Sequence, residues 1–202
     1  MLITFEGIDG SGKSTQARKL YEYLINSGYK ASLYRDPGGT ELAERIRELI
    51  LDFDVNPITE LLLFETARSS LVWERVFPDL KEGRIVILDR FIDSTVAYQG
   101  YGREINLGTV SILNHIAIRG RKPDITFLLN VPLDVALTRV GQKRTRFENG
   151  EYLRKVRDAY ILIAHQEKER IVLLDGTRNE DEVFMEVLKL LKERLGLDLL
   201  KC

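Results

Sequence analysis

The chain has few of the residues that build disulfide, metal or histidine chemistry. In 202 residues it contains one cysteine, Cys202, and two histidines, His115 and His165. A single cysteine at the end argues against a disulfide framework, a cysteine-ligated metal site and a cysteine nucleophile, and it favours a cytoplasmic protein. Both histidines fall in helix-like stretches, and we interpret them as structural or solvent-facing.

The chain also lacks an excess of charge of either sign, and it lacks long apolar runs. The net charge is −1, which argues against a general nucleic-acid coat or a membrane-surface protein. No apolar stretch approaches the length that spans a bilayer, and no signal-peptide pattern precedes the first apolar run. We therefore expect neither nucleic acid nor membrane as a partner. The hydrophobic content of 44% and the charged content of 30% are typical of a globular chain, which we assign to one α/β domain over residues 1–202.

A phosphate-binding loop follows the first apolar run. Gly7–Ser14 has the spacing G-x-x-x-x-G-K-[ST], and it lies between the run Leu2–Phe5 and a helical pattern that ends at Gly28. Glycines let backbone N–H groups turn inward around phosphate oxygens. Lys13 adds a positive charge at the outer phosphates and Ser14 offers a hydroxyl to Mg²⁺. The segment therefore predicts a site for a nucleoside triphosphate.

Short apolar runs alternate with helical patterns along the whole chain. The predicted strands are Leu2–Phe5, Ala31–Tyr34, Ile85–Leu88, Ile125–Asn130 and Ile171–Leu174. The predicted helices are Ser14–Ser27, Glu41–Leu51, Ile58–Lys81, Leu107–Arg119, Glu151–Lys168 and Asp181–Leu195. This alternation implies right-handed crossovers and a mostly parallel sheet with its sites at the carboxyl ends of the strands. Two loop-like segments interrupt it, Asp36–Thr40 and Val140–Gly150.

Two pairs of residues could complete a site beside the loop. Asp89 and Arg90 follow the third strand, where a carboxylate can hold Mg²⁺ waters and an arginine can grip a second phosphate. An ion pair that caps the strand is the alternative. Phe64 and Arg68 lie four apart on one helical face, so that a ring could stack on a base while a guanidinium reaches its carbonyl edge. Taken alone, they would fit a core residue and a solvated charge.

Two further clusters resemble loops around a ligand. Tyr98–Arg103 places tyrosines among glycines and suits a loop that folds over a small molecule. The second cluster is a basic run that fits either a solvated surface or a lid that closes over a triphosphate. Its members are Arg139, Lys143, Arg144 and Arg146.

Together these segments resemble the thymidylate kinase family, nearly from end to end. The resemblance rests on Phe5–Asp9, Arg35–Thr40, Leu63-Phe64 through Arg68, Asp89–Ser94, Ala97–Arg103, Arg146–Glu148 and Asp175–Thr177. It implies the α/β fold of P-loop nucleoside monophosphate kinases, with a five-stranded parallel sheet flanked by helices and a short lid at about 140–150. It also implies in-line transfer from ATP to dTMP with Mg²⁺, for dTTP synthesis, and a homodimer to which Ile58–Lys81 contributes.

The resemblance also implies a role for each matching residue. The ATP contacts would be Gly7, Ile8, Asp9, Gly10, Ser11, Gly12, Lys13, Ser14, Thr15, Arg139, Gly176 and Thr177. The dTMP contacts would be Asp9, Arg35, Pro37, Phe64, Arg68, Arg90, Ser94, Thr95, Tyr98 and Gln99. The catalytic residues would be Lys13, Asp89, Arg90, Arg144 and Arg146, and the metal would be held at Ser14 and Asp89.

Within that pocket the implied contacts are specific. Phe64 would stack on thymine, and Arg68 would hydrogen-bond its O4 edge. Asp9 would contact the 3′-hydroxyl, and Tyr98 would crowd the 2′ position so that a ribonucleotide is disfavoured. Arg35 and Arg90 would hold the dTMP phosphate.

Three positions depart from the family's usual pattern. Asp36 replaces a commoner glutamate, and Thr145 replaces an aspartate in the lid. Gly10 stands where some members place a catalytic arginine, so the lid is expected to supply that charge through Arg144 or Arg146. Two alternatives stay open: another P-loop nucleotide or nucleoside kinase, and an ATP-binding switch that transfers no phosphate.

Overall fold

The computed structural model describes residues 1–141 and 150–197. Its centre is a parallel sheet of β1 (Leu2–Glu6), β2 (Ala31–Arg35), β3 (Ile85–Asp89), β4 (Ile125–Asn130) and β5 (Ile171–Asp175), in the order β2-β3-β1-β4-β5. The predicted parallel sheet is confirmed. Each strand begins at the predicted residue, but β1, β2, β3 and β5 each continue through one more residue, which is charged.

Helices connect the strands in the described part of the chain. They are α1 (Lys13–Asn26), α2 (Glu41–Asp52), α3 (Pro57–Leu71), α4 (Phe77–Lys81), α5 (Ile92–Thr95), α6 (Leu107–Ala117), α7 (Leu133–Val140), α8 (Gly150–Gln166) and α9 (Glu180–Leu195). A π-helical segment, Val72–Val76, joins α3 to α4 without a break, as the prediction of one helix over Ile58–Lys81 requires. Asn56 caps the start of α3 by accepting from the Thr59 N–H at 3.0 Å.

The prediction of a loop at Tyr98–Arg103 is wrong. Helix α5 runs directly into a second π-helical segment, Val96–Gly102, which contains most of this cluster. Its glycines permit close packing: a Cβ on Gly102 would lie 2.7 Å from the ring of Tyr152 in α8. The sequence also gave no warning of α7, because this helix is short and buries only Ala136.

The core fixes where the carboxyl ends of the strands meet. On one face of the sheet, Phe5 and Phe127 pack with Leu20 of α1 and Val187 of α9. On the other face, Leu128 packs in a cluster that includes residues of α2, α3 and α8. Helices cover both faces of the sheet, so a site is left to its edge. Because the strands are parallel, the polar side chains that follow β1, β3, β4 and β5 lie at the same edge, at the carboxyl ends of the strands.

Candidate active site

The loop between β1 and α1 is packed too tightly for side chains at two of its glycines. Gly7 has φ +137°, and a Cβ there would lie 2.6 Å from the Leu129 carbonyl oxygen of β4. Gly10 has φ +82°, and its Cβ would lie 2.3 Å from the Ala136 carbonyl oxygen of α7. An arginine at position 10 therefore cannot fit unless α7 moves, which gives a local reason for the departure from the family pattern.

Asp9 joins the two cations of this loop region. Its Oδ1 accepts from Lys13 Nζ at 3.0 Å and from Arg90 Nη2 at 2.6 Å. The Arg90 guanidinium, followed by the Lys13 ammonium, holds the pKa of Asp9 far below its usual range despite burial. Burial and the neighbouring Arg90 lower the pKa of Lys13. The result is a compact charged centre at the mouth of the phosphate loop.

Ser14 and Asp89 form an arrangement that fits Mg²⁺. The Ser14 hydroxyl donates to Asp89 Oδ2 at 2.5 Å. Asp89 Oδ1 is buried and has no hydrogen-bond partner, so a carboxylate oxygen is left to accept from a metal-bound water. Residues 1–141 and 150–197 contain no group of three or more His, Cys, Asp or Glu side chains placed to hold a metal. Mg²⁺ in kinases is bound through one or two carboxylates together with phosphates, which suits this pair.

Arg90 is held rigidly between the phosphate loop and a neighbouring pocket. Its backbone lies in the left-handed region with φ +69°, and its guanidinium donates to Gly7 O at 2.9 Å as well as to Asp9. It also contacts the hydroxyls of Ser94, Tyr98 and Tyr160 at 3.2, 3.3 and 3.2 Å. Burial alone would lower the pKa of Arg90, but Tyr98 and Asp9 raise it well above its usual value.

A pocket opens beside Arg90, and its lining of apolar side chains with a few polar and charged ones is typical of a small-molecule site. It is lined by Asp9, Asp36, Pro37, Arg47, Ile50, Leu51, Phe64, Arg68, Arg90, Ser94, Thr95, Tyr98 and Gln99. The structure thus brings together every residue expected at dTMP except Arg35. The Arg35 side chain is exposed and pairs with Glu44 at 2.6 Å.

Arg68 lies deeper than its expected role requires. It is 1% exposed, and its five N–H groups donate to protein acceptors. These acceptors are Asp36 Oδ2 (2.6 Å), Glu65 Oε1 (2.9 Å), Asn114 Oδ1 (2.6 Å), Thr95 Oγ1 (2.7 Å) and Phe91 O (3.3 Å). A hydrogen bond to the O4 edge of a base would have to share one of these donors. In this structure Arg68 organises the wall of the pocket.

Arg47 is a lining residue that the sequence interpretation missed. It is half-buried on α2, and its Nη1 donates to the Pro37 carbonyl oxygen at 3.3 Å. Its neighbours Ala43 and Ile50, four residues before and three after, are buried. A cation on the inward face of an otherwise amphipathic helix was the available signal.

Eight of the residues expected at ATP line two pockets that share no residue with the pocket beside Arg90. Ser11, Gly12, Thr15, Arg139 and Gly176 line one pocket, and Gly10, Lys13 and Ser14 join some of them in the other. Arg139 Nη1 donates to Gly176 O at 2.8 Å and to Gly10 O at 3.3 Å, so it bridges the loop and the end of β5. Thr177 instead turns its hydroxyl to Asp175 Oδ1 at 2.6 Å. Arg144 and Arg146, which the sequence analysis expects in a lid, lie outside the described residues.

Glu6 is a buried acid that the sequence interpretation gave no role. It accepts from the N–H of Phe91 at 2.7 Å and from the hydroxyls of Ser94 and Tyr160 at 2.6 and 2.9 Å. Burial, assisted by the nearby Asp93, raises the pKa of Glu6 to about 7. Because Ser94 and Tyr160 also contact Arg90, Glu6 supports the position of that guanidinium from behind.

Glu6→Gln is expected to remove a pH-dependent loss of stability. The folded-state pKa of about 7 lies above the ordinary 4.5, so this carboxyl favours folding fully below pH 4.5 and loses that contribution as the pH rises through 7. The contribution to the free energy of unfolding that is lost over this pH range amounts to about 3 kcal/mol. The free energy of unfolding of the wild type should therefore fall relative to the variant between about pH 4.5 and 8, as measured by urea unfolding. Parallel pH profiles for the two proteins would contradict this assignment.

The fold and the site define a P-loop kinase of the nucleotide-phosphorylating class, since a phosphate loop faces a second pocket across a shared arginine. A family model described as Thymidylate kinase matches residues 5–187. The chain therefore belongs to the thymidylate kinase family.

Individual relatives agree over nearly the whole chain. The thymidylate kinase of Thermosipho melanesiensis is 44% identical over 198 residues, which cover 96% of this chain and 99% of that protein. That of Thermoanaerobacter sp. (strain X514) is 38% identical, with 96% and 98% covered. The crystal structure of thymidylate kinase from Ehrlichia chaffeensis superposes with a TM-score of 0.80 at 37% identity, covering 95% of this chain and 98% of that one. Within the described residues, no helix combines the length and the apolar composition needed to cross a membrane.

Proposed function

We propose that this chain transfers the γ-phosphoryl group of ATP to dTMP, with Mg²⁺ as cofactor, in the cytoplasm. The phosphorylation of dTMP to dTDP is the reaction of the thymidylate kinase family, to which the chain belongs. The observation that carries the site assignment is Arg90, whose guanidinium contacts the phosphate loop at Gly7 and lines the pocket that contains Phe64. An arginine in that place can contact the phosphates of both substrates.

The reaction needs positioning and charge neutralisation more than proton transfer. A phosphate oxygen of dTMP is largely ionised at neutral pH, so it can attack the γ-phosphorus without a strong base. Lys13 and Arg90 would neutralise charge on the transferred group. Ser14 and Asp89 would hold Mg²⁺, which supplies further neutralisation of the phosphate oxygens. Because no side chain fits at Gly10, we assign the remaining cation to the lid, to Arg144 or Arg146.

The pocket suits a deoxyribonucleotide with a pyrimidine base. Phe64 offers a ring for stacking, and Asp9 would contact the 3′-hydroxyl. The ring of Tyr98 lies 5.1 Å from the Arg90 guanidinium carbon and lines the same pocket. We assign to it the role that the family resemblance implies, which is to crowd the 2′ position of the sugar. Arg47 replaces Arg35 in our assignment as the second arginine for the dTMP phosphate, because it lines the pocket whereas Arg35 pairs with Glu44.

The experiment that tests this function is acceptor-dependent release of ADP from ATP and Mg²⁺. The acceptors are dTMP, dUMP, UMP, dCMP, AMP and GMP. We expect dTMP to be preferred and dUMP to exceed UMP, because of Tyr98. Preference for another monophosphate would keep the fold and discard the pocket assignments. If the protein binds ATP but no acceptor stimulates release of ADP, the result would favour the alternative of an ATP-binding switch that transfers no phosphate.

An exposed apolar surface on α2, α3, the π-helical segment Val72–Val76 and α6 supports a homodimer. Leu42, Leu62, Trp73 and Ile116 are 53, 47, 63 and 64% exposed and line one groove. An apolar surface contributed by several helices is typical of an interface, and a two-fold dimer buries the same patch on both copies. We therefore assign this surface to a second copy of the chain.

Ile116→Asp is expected to convert the dimer into a monomer, because two new carboxylates would be buried close together at a two-fold interface. Sedimentation velocity at micromolar protein measures the change. Met185→Asp is the matched control, since Met185 is 54% exposed on α9, away from this groove, and it should leave the dimer intact. A wild-type protein that sediments as a monomer would contradict the assignment.

A further inference from the structure

A fully buried carboxylate, Glu60, lies behind the wall of the nucleotide pocket. It is 0% exposed on α3, and a glutamate is rarely buried to this extent unless it is paired. Arg103 donates to it twice, from Nη2 to Oε2 at 2.9 Å and from Nε to Oε1 at 3.2 Å. Gln99 Nε2 also donates to Oε1, at 2.9 Å. The pocket-lining amide is thus tied to a charged pair outside the pocket.

The charge on Glu60 fixes which way the Gln99 amide faces. A carboxylate held by a guanidinium only accepts hydrogen bonds, so Gln99 must present its NH₂ group to it. The carbonyl oxygen of the same amide then points away from Glu60. Gln99 lines the pocket, and no donor in residues 1–141 or 150–197 reaches its Oε1. The amide therefore offers an acceptor to whatever the pocket binds.

The arrangement of α3 indicates where a base would stack relative to this acceptor. Glu60, Phe64 and Arg68 follow one another at intervals of four, so they share one face of the helix. Phe64 provides the ring for stacking, and Arg68 has its N–H groups engaged by the protein. Gln99 contacts the first member of this row while it lines the same pocket as the other two. Its oxygen is consequently free to meet the edge of a stacked base.

We propose that Glu60 is a positioning residue that holds the Gln99 oxygen toward the base and so selects pyrimidines with an N–H at N3. This inference rests on the proposed function and names how its site discriminates between bases. Thymine and uracil carry a donor at N3, which pairs with the oxygen. Cytosine carries an acceptor there, so two lone pairs would face each other and both groups would lose a hydrogen bond. Breaking the Glu60 contact frees the amide to turn.

The test compares kcat/KM for dTMP and for 5-methyl-dCMP. These acceptors share the methyl group, sugar and phosphate and differ only at N3 and C4. We expect Glu60→Gln to lower the ratio of kcat/KM for dTMP to kcat/KM for 5-methyl-dCMP by about tenfold or more. The reason is that an amide at position 60 accepts either orientation of Gln99. Glu60→Asp, which keeps the charge but withdraws the carboxylate, should shift the ratio in the same direction and serves if the first variant folds poorly.

A double-mutant cycle separates positioning from general damage. Gln99→Leu should itself lower the ratio, and adding Glu60→Gln in that background should change it no further. Asp93→Asn is the stability control: Asp93 is buried and pairs with Arg170 at 2.7 Å outside the pocket. It should lower the free energy of unfolding while the ratio stays at its wild-type value.

Two results would overturn the inference while the function stands. One is an active Glu60→Gln enzyme whose ratio stays within about twofold of the wild-type ratio. The other is an equal shift on adding Glu60→Gln to Gln99→Leu, which would mean that Glu60 acts by another route. Failure of the wild-type protein to phosphorylate dTMP would instead overturn the proposed function, and the inference with it.

Discussion

We expect Arg90→Ala to lower kcat by about 10³-fold, while the Kd for ATP stays within about threefold of the wild-type value. Arg90 contacts both the phosphate loop, at Gly7 O, and the pocket, where its guanidinium lies beside Tyr98. Its positive charge should therefore stabilise mainly the transition state, in which negative charge spreads over the transferred phosphoryl group. The two pockets that we assign to ATP do not include Arg90, so the ground-state binding of ATP should change little.

Two variants make the Arg90 result interpretable. Arg90→Lys keeps the charge but loses the fork that contacts Gly7 and Asp9 together, so most of the loss should remain. Arg194→Ala removes an exposed arginine at the end of α9 and should leave kcat unchanged. Steady-state kinetics at saturating substrates measure kcat, and titration with ATP measures the Kd. An unchanged kcat in Arg90→Ala would remove this residue from the mechanism.

Gly10→Ala is expected to weaken ATP binding by about 100-fold. The new Cβ would lie 2.3 Å from the Ala136 carbonyl oxygen, a contact that only movement of α7 or of the loop can relieve. A positive φ of 82° adds about 1–2 kcal/mol of strain for a residue with a side chain. The loop N–H groups that face the phosphates would move with it, and a shift of that kind is expensive in a preorganised site. Isothermal titration with ATP measures the effect.

Gly28 supplies a matched control for this substitution. It has nearly the same φ, +81°, but nothing lies within 4 Å of its Cβ position. Gly28→Ala should therefore lower the free energy of unfolding by about 1 kcal/mol and leave the Kd for ATP unchanged. If the two variants bind ATP equally well, then the packing of the loop against α7 is not what preserves the site.

The sheet was predictable from the sequence because its strands are apolar runs buried on both faces. The carboxyl ends of the strands were harder to predict, because their last residues can be charged. Four such residues belong to strands: Glu6, Arg35, Asp89 and Asp175. Pairing along the ladder decides this, since Arg35 pairs with Asp89 and Asn130 with Asp175 in the register of the sheet. A strand that meets a site ends at polar residues, so polarity misplaces its boundary by one residue.

The pocket was only partly predictable, because its remaining features depend on contacts between distant segments. The glycines of Tyr98–Arg103 suggested a loop, whereas they allow a π-helical segment to pack on Tyr152. Arg47 was missed because its role appears only when α2 lies against the pocket. Arg68 lines the pocket, but its five protein acceptors come from several segments that no local pattern connects.

The position of β1 in the sheet also bears on local unfolding. This strand lies between β3 and β4, and β3 and β4 are in turn flanked by β2 and β5. Opening β1 requires both neighbouring ladders to break, so its amide hydrogens should exchange only through nearly complete unfolding. The phosphate loop emerges directly from β1, whereas α9 covers one face of the sheet. Fluctuations that release the outer helices therefore leave the base of the phosphate loop protected from exchange.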